Sequence, residues 1–301
     1  MILDNLKAKY ADYRLNKVNK LEMSLNGLSS SFPASENSPE KKMPDKLEIT
    51  LKTLPKQLSI AKNMENNIKS LDKNPENPQI HMSSKFKDQF EKNAASMGIS
   101  KIGYTDVPPE LIFKDRSILF KKAIILIMEM DETAINMAPS PQTQEEGVVT
   151  YDDLGKKTND LAQYLRDEGF AAHPSHPAGG IVIYTQLAQK AGLGHVGRHG
   201  LFISPELGPR QRISAIFVSA ENLPDIQSNE HLWINEFCES CGRCIKKCPD
   251  QAIIEENTPQ GIKTKIMIDS CHGCTICMKE CSFNRGKYHN IKAKFDKNNS
   301  K

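Results

Sequence analysis

No cysteine stands before position 238, and no apolar run in the 301 residues is longer than Ala123 to Met128, AIILIM. A helix that crosses a bilayer needs roughly 18 apolar residues, so the sequence predicts none. The opening residues, MILDNLKAKYADYR, lack a basic stretch followed by an apolar one, and the early chain lacks a twin arginine. No export signal is therefore expected, and the expected compartment is the cytoplasm. A surplus of charge is missing too: the net charge is +3 and the pI near 8.3. That is too mild and too evenly mixed to predict a nucleic-acid-binding face. What is present, 38% hydrophobic and 26% charged residues, is ordinary for a globular protein with room for two modest domains.

The absence of upstream cysteines gives meaning to the eight that follow. They read Cys238-Glu-Ser-Cys241-Gly-Arg-Cys244-Ile-Lys-Lys-Cys248-Pro249 and Cys271-His-Gly-Cys274-Thr-Ile-Cys277-Met-Lys-Glu-Cys281. Each run is C-x2-C-x2-C-x3-C, and the second repeats the first at one constant offset. In a reducing compartment such packing argues for metal ligation over disulfides. Two-residue gaps let three thiolates wrap three corners of a 4Fe-4S cube, while the fourth cysteine reaches the other cube. The expected ligand sets are therefore crossed: Cys238, Cys241, Cys244 and Cys281 for one cluster, Cys271, Cys274, Cys277 and Cys248 for the other. The competing reading is structural zinc, which uses two spaced pairs per ion and matches complete triads less well. Ser282 stands where the first run has proline, so the second terminus is expected to be less sharply fixed.

Upstream the chain divides into an extension over 1–78 and an α/β core over 79–230; the cluster domain over 231–285 is followed by a basic tail over 286–301. In the extension Ile60, Met64, Ile68 and Leu71 recur at helical spacing and predict one amphipathic helix docked on the body; a poorly ordered basic arm is the alternative. In the core, Ser83 or Ser84 caps a helix carrying Phe86, Phe90, Ala94 and Met97, closed by Gly98 and followed by a strand, ISKIGYTDV. A buried strand at 123–128 leads into a proline-rich loop, APSPQTQEEG. Asp152 or Asp153 then caps a helix with Leu154, Leu161 and Leu165 on one side, ending at Gly169. A strand (FAAHP), a helix over 183–191 and a strand over 213–218 complete the core.

Gly192-Leu-Gly194-His-Val-Gly197 satisfies G-x-G-x-x-G, but it follows an apparent helix, YTQLAQKA, where a dinucleotide fold requires a strand. No acid closes the next strand, so nicotinamide binding is rejected. Four glycines within ten residues, Gly192, Gly194, Gly197 and Gly200, imply backbone passing close to a ligand or another domain.

The string AGLGHVGRHGLFISPELGPRQRISAIF, 191–217, joined to WINEFCESCGRCIKKCPDQAI, resembles the cobalamin-dependent reductive dehalogenases and the epoxyqueuosine reductases over about residues 80–285. The resemblance implies a nitroreductase-like α/β core followed by a small α+β domain of the bacterial-ferredoxin type with two 4Fe-4S clusters. It implies a base-off cobalamin in the core, near Gly192, Gly194, Gly197, Arg198, Gly200 and Pro209. It also implies an external low-potential donor of the ferredoxin or flavodoxin type and a small organic substrate. Dehalogenase-like chemistry needs a proton donor assisted by a cation, and Tyr184 with Arg210 are the candidates, Tyr151 and Arg198 the reserves. A phenol packed in the core with a satisfied hydroxyl is the plainer reading of Tyr184. His173 and His176 read as loop residues, His195 as a turn cap or ligand contact. Where the epoxyqueuosine reductases carry a catalytic aspartate this chain reads AGGIVIY, and no D-x-H-x-x-G segment is present. A reductive oxidoreductase is thus the leading expectation; a non-catalytic electron carrier is the alternative, with nucleoside modification below it.

Overall fold

The structure, a computed structural model, describes residues 25–29, 53–114, 116–226, 228–258 and 261–299. Strand β1, Leu25–Asn26, pairs antiparallel with a short partner, Ser117–Ile118, outside the main sheet. Helix α1, Leu54–Lys69, has a proline in its first turn, where no amide donor is needed. Its most buried residues are Asn63, Asn67 and Ile68, with Ile60 and Met64 half-buried. The docked face is thus partly polar. Helix α2, Ser84–Ser96, begins at Ser83, whose hydroxyl accepts from the Phe86 amide at 3.2 Å. It ends at Gly98 with φ +85°, and strand β2, Lys101–Asp106, follows.

Strand β3, Ser117–Ile118, closes on β1, and β4, Lys122–Glu129, holds the AIILIM run. Its residues alternate between two cores. Ile124, Leu126 and Met128 join Phe90, Leu154 and Leu161 on one face; Ala123, Ile125 and Ile127 join Leu187, Ala188 and Leu193 on the other. Both faces being covered explains an uninterrupted apolar run without polar alternation.

Helix α3, Glu132–Asn136, is capped by Asp131, and α4, Pro141–Asp167, runs for 27 residues. The structure corrects the predicted loop and start here. Ser140 caps α4 by accepting from the Thr143 amide at 3.2 Å, and Pro141 opens the first turn; proline belongs there because its missing amide is not required. Asp152 lies inside the helix, buried, 2.6 Å from Lys156 Nζ and 3.7 Å from Lys56 Nζ on α1. Strand β5, Ala172–Ser175, and helix α5, Tyr184–Lys190, follow. The hairpin of β6, His195–Val196, and β7, Phe202–Ile203, leads to β8, Gln211–Val218.

The main sheet has the order β2-β4-β8-β5 and is antiparallel at every pairing, with Ile125 opposite both Gly103 and Ala215. Alternation of helix and strand along the sequence does not specify that sense of pairing.

The cysteine-rich part contains α6, Trp233–Cys241, α7, Arg243–Lys247, and a hairpin of β9, Ile253–Thr258, with β10, Gly261–Ile266. Helices α8, Ile276–Lys279, α9, Ser282–Arg285, and α10, Tyr288–Asn299, complete it. Tyr288 receives a hydrogen bond from Trp233 Nε1 at 3.0 Å, and its hydroxyl lies 2.7 Å from His231 Nδ1. Phe237, Phe283 and Phe295 gather around Trp233. The residues predicted as a basic tail therefore include a helix that closes this aromatic cluster. Among the described residues no helix is long and apolar enough to cross a membrane.

Candidate metal centre

Cys238 and Cys241 occupy the last turn of α6, and Gly242, at φ +56°, turns the chain directly into α7 with Cys244. Only a residue free of Cβ crowding makes that reversal cheaply, and it is what brings three sulfurs to one side. Cys281 enters as the residue before α9 and lines the same cavity as Cys238, Cys241 and Cys244. Cys248 leaves α7 in the other direction. Its electrostatic neighbours are across the domain, because Cys274 sits close to both Cys248 and Cys271, and Cys277 to Cys274 and Cys271.

Cys281 thus shares a cavity with the first triad, and Cys248 neighbours Cys274 of the second, as crossed ligation requires. Burial pushes the Cys238 thiol up to about 12, an effect its neighbours Cys244 and Cys241 reinforce and the Arg198 backbone amide offsets in part. Burial pushes Cys277 up to about 12 as well and raises Cys281. Thiolates at these positions need compensating positive charge, which bound iron supplies. Each run supplies a complete triad and a distal cysteine, a donor set that fits a cube's corners better than the two spaced pairs of a structural zinc site.

Local bonds fix the loops. The Ala252 amide donates to Cys248 Sγ at 3.3 Å, and the His272 ring lies 3.0 Å from the Asp250 carboxylate. Ser282 Oγ lies 3.2 Å from Cys241 Sγ, so the residue that replaces proline ties the second run to the first.

The glycine-rich segment supplies the seat. A Cβ on Gly208 would stand 2.4 Å from the Phe283 carbonyl oxygen, and one on Gly200 would meet Ile266 of β10 at 3.2 Å. Arg198 pairs with Glu255 of β9, and its Nη1 donates to the Glu239 carbonyl at 3.4 Å. Arg198 and His199 both line the cavity of the first four cysteines. The other bare positions are covered by the body itself: Gly192 faces Ile226, while Gly194 and Gly197 face Ile203 within the β6–β7 hairpin. Pro209 is buried in the turn before β8, its carbonyl accepting from Gln211. Of the four glycines expected to lie close to a ligand or another domain, Gly200 alone meets the cysteine-rich domain, and the other three meet the body.

Tyr184 and Arg210 are held by different elements. The Tyr184 hydroxyl donates to the His176 carbonyl at 2.8 Å and lies 2.6 Å from Ser175 Oγ. Arg210, buried, lies 2.8 Å from Glu129 and 3.3 Å from Glu132. Of the two histidines read as loop residues, His173 is corrected to strand β5, while His176 lies in the loop just after it; both are buried, 1% exposed. His195 is half-buried with Nδ1 2.8 Å from the Val196 carbonyl, and Tyr151 lies under Arg212, 4.3 Å from its guanidinium. The residue that sequence reasoning passes over is His199, 6% exposed, with burial pushing its imidazole down to about 4. Its signal was its place: between Arg198 and Gly200, two residues that touch the cluster domain.

The family description "4Fe-4S dicluster domain" matches residues 237–288. The tetrachloroethene reductive dehalogenase of Desulfitobacterium hafniense is 34% identical over 140 residues, 46% of this chain and 25% of that protein. The epoxyqueuosine reductase of Bacillus subtilis strain 168 is 23% identical over 255 residues, 67% of this chain and 64% of its own. Among solved structures, a catabolic reductive dehalogenase in complex with 3-bromo-4-hydroxybenzoic acid superposes with a TM-score of 0.67 at 18% identity, over 81% of this chain and 38% of that one. The chain thus spans about a quarter of the dehalogenase length, and the structural likeness speaks for the fold. Taken with the cysteine cavity and its seat, these matches make the chain a homologue of the reductive dehalogenases and epoxyqueuosine reductases that carries a 4Fe-4S dicluster domain.

Proposed function

We propose that the chain is an iron–sulfur reductase that takes single electrons from an external low-potential donor and delivers them to its α/β body, where a small organic substrate is reduced. The observation that carries this reading is the seat: the cavity of Cys238, Cys241, Cys244 and Cys281 also has Arg198 and His199 of the body in its wall. Two 4Fe-4S clusters, when bound, supply one-electron steps at low potential. Cys271, Cys274, Cys277 and Cys248 would hold the outer one, none of them fully buried, where a donor of the ferredoxin or flavodoxin type reaches it. Cys238, Cys241, Cys244 and Cys281 would hold the inner one, with Cys244 and Cys281 buried. Arg198 keeps the two parts in register through Glu255 and the Glu239 carbonyl.

The body is read as the nitroreductase-like core of the resemblance, supported by four antiparallel strands with helices on both faces. A corrinoid rests on kinship alone. The glycines expected to cradle it face Ile203, Ile226 and Ile266 of the chain itself, which does not fit that cradle, so no step is derived through a corrinoid. Tyr184 and Arg210, each engaged with neighbours, favour the second reading, an electron-transfer accessory protein without turnover of its own.

Anaerobic reconstitution with iron and sulfide is expected to load about eight of each per chain; two zinc ions per chain instead would refute the clusters. The loaded protein, reduced by a viologen, would then be offered organohalides, an epoxyqueuosine nucleoside and cobalamin. Consumption of either substrate supports the reductase, whereas clusters that cycle without turnover, with or without cobalamin, leave the accessory reading.

A further inference from the structure

We propose that His199 donates a hydrogen bond through Nε2–H to the inner iron–sulfur cluster and holds it at a higher reduction potential than its four cysteines alone would set. The inference rests on the cluster reading above.

His199 comes from the body, not from the cysteine-rich domain, yet its ring lines the cavity of Cys238, Cys241, Cys244 and Cys281. It is fixed there. Gly197 leaves room beneath it, since a Cβ at 197 would stand 2.8 Å from Cε1, and the Leu201 amide donates to Nδ1 at 3.1 Å. A nitrogen that accepts from an amide carries no proton, so the ring is neutral and its proton lies on Nε2. That Nε2 is buried and has no partner among the described residues.

A buried N–H with no acceptor is costly and calls for an explanation. The cavity it borders is lined by four sulfurs, and a bound cluster adds its sulfides, all of them acceptors. A hydrogen bond to such a sulfur offsets negative charge, which is greater in the reduced cluster, and so favours reduction. Placed on the inner cluster, it draws the electron toward the body.

The test uses the full chain, reconstituted anaerobically, with iron and sulfide counted before each measurement. In a redox titration followed by electron paramagnetic resonance, His199→Leu is expected to move one of two midpoint potentials to a more negative value and leave the other in place. His199→Gln, which keeps an N–H donor, is expected to recover part of the shift. In unsubstituted protein labelled with ring-15N histidine, electron–nuclear double resonance is expected to detect a nitrogen coupled to one reduced cluster, a coupling that His199→Leu abolishes. His272, the histidine within the second cysteine run, lies 3.0 Å from the Asp250 carboxylate through Nδ1, and the leucine variant separates it from His199. Unchanged potentials in a fully loaded His199→Leu protein would overturn the proposal, as would a missing ring-15N coupling in the unsubstituted one. If the leucine variant fails to load, the labelled unsubstituted protein decides alone. Iron and sulfide that never bind would instead strike the cluster reading itself.

Discussion

At Gly208 the backbone has φ +58° and its bare α-carbon lies under the Phe283 carbonyl. Alanine there meets both a disfavoured conformation and an oxygen 2.4 Å away. Because Phe283 follows Cys281 by two residues, the displacement reaches a cluster ligand. Gly208→Ala is expected to destabilise the protein by more than about 1 kcal/mol and to lower iron content at the inner site, read by thermal melting and iron assay. Gly273→Ala is a control for backbone strain without crowding, since nothing lies within 4 Å of its Cβ position and φ is +65°. Cys248→Ala provides the matching test of ligation. Crossed pairing predicts loss of the cluster formed by Cys271, Cys274 and Cys277 and retention of the other; loss of the inner signal alone would show the pairing reversed. These cysteines were legible in the sequence because ligand spacing is written in consecutive residues. The use of Gly200 and Gly208 was only half legible. The glycine density around Gly200 announced a close approach, Gly208 lay outside it, and a bare α-carbon does not say what approaches it.

Elements were readable where local chemistry agreed with packing, as at Ser83 and the helix it caps. The prediction failed at α4, where Ser140 and Pro141 form a sound start that the surrounding prolines disguised, while Asp152 imitated a cap from inside the helix. Its carboxylate is held by Lys156 on the same helix and Lys56 on α1, and no local pattern foretells a partner from so far along the chain. Helix α10 was missed for a related reason: its exposed lysines dominate the sequence, and its anchor is the single buried residue Tyr288. That anchor is testable. Tyr288→Phe keeps the ring among Trp233, Phe237 and Phe283 but removes the acceptor of Trp233 Nε1. Leaving that buried donor unpaired is expected to cost about 1–2 kcal/mol, seen as a lower melting temperature and a shifted tryptophan emission, with cluster content preserved.

Across the whole molecule, the antiparallel sheet and the docking of one part on the other depend on contacts between distant residues. Arg198 with Glu255, Gly200 with Ile266 and Gly208 with Phe283 each join the body to the cysteine-rich domain. Spacing within the motifs cannot reveal such contacts, whereas the asymmetry they create can be measured. At the outer site all four cysteines are partly buried, and His272 between the first two ligands of its run has a side chain 67% exposed. At the inner site Cys238 and Cys241 are partly buried too, but Cys244 and Cys281 are 9% and 7% exposed, and Phe237 and Phe283 line the same cavity. A bulky iron chelator added to the reconstituted protein should therefore withdraw iron in two phases, the faster carrying about half the total because the two clusters are equal in size. The resonance that survives the fast phase should be the one whose potential His199→Leu shifts. Release in a single phase, or survival of the other signal, would mean that the inner cluster is no better protected, and the proposed direction of electron flow would lose its structural basis.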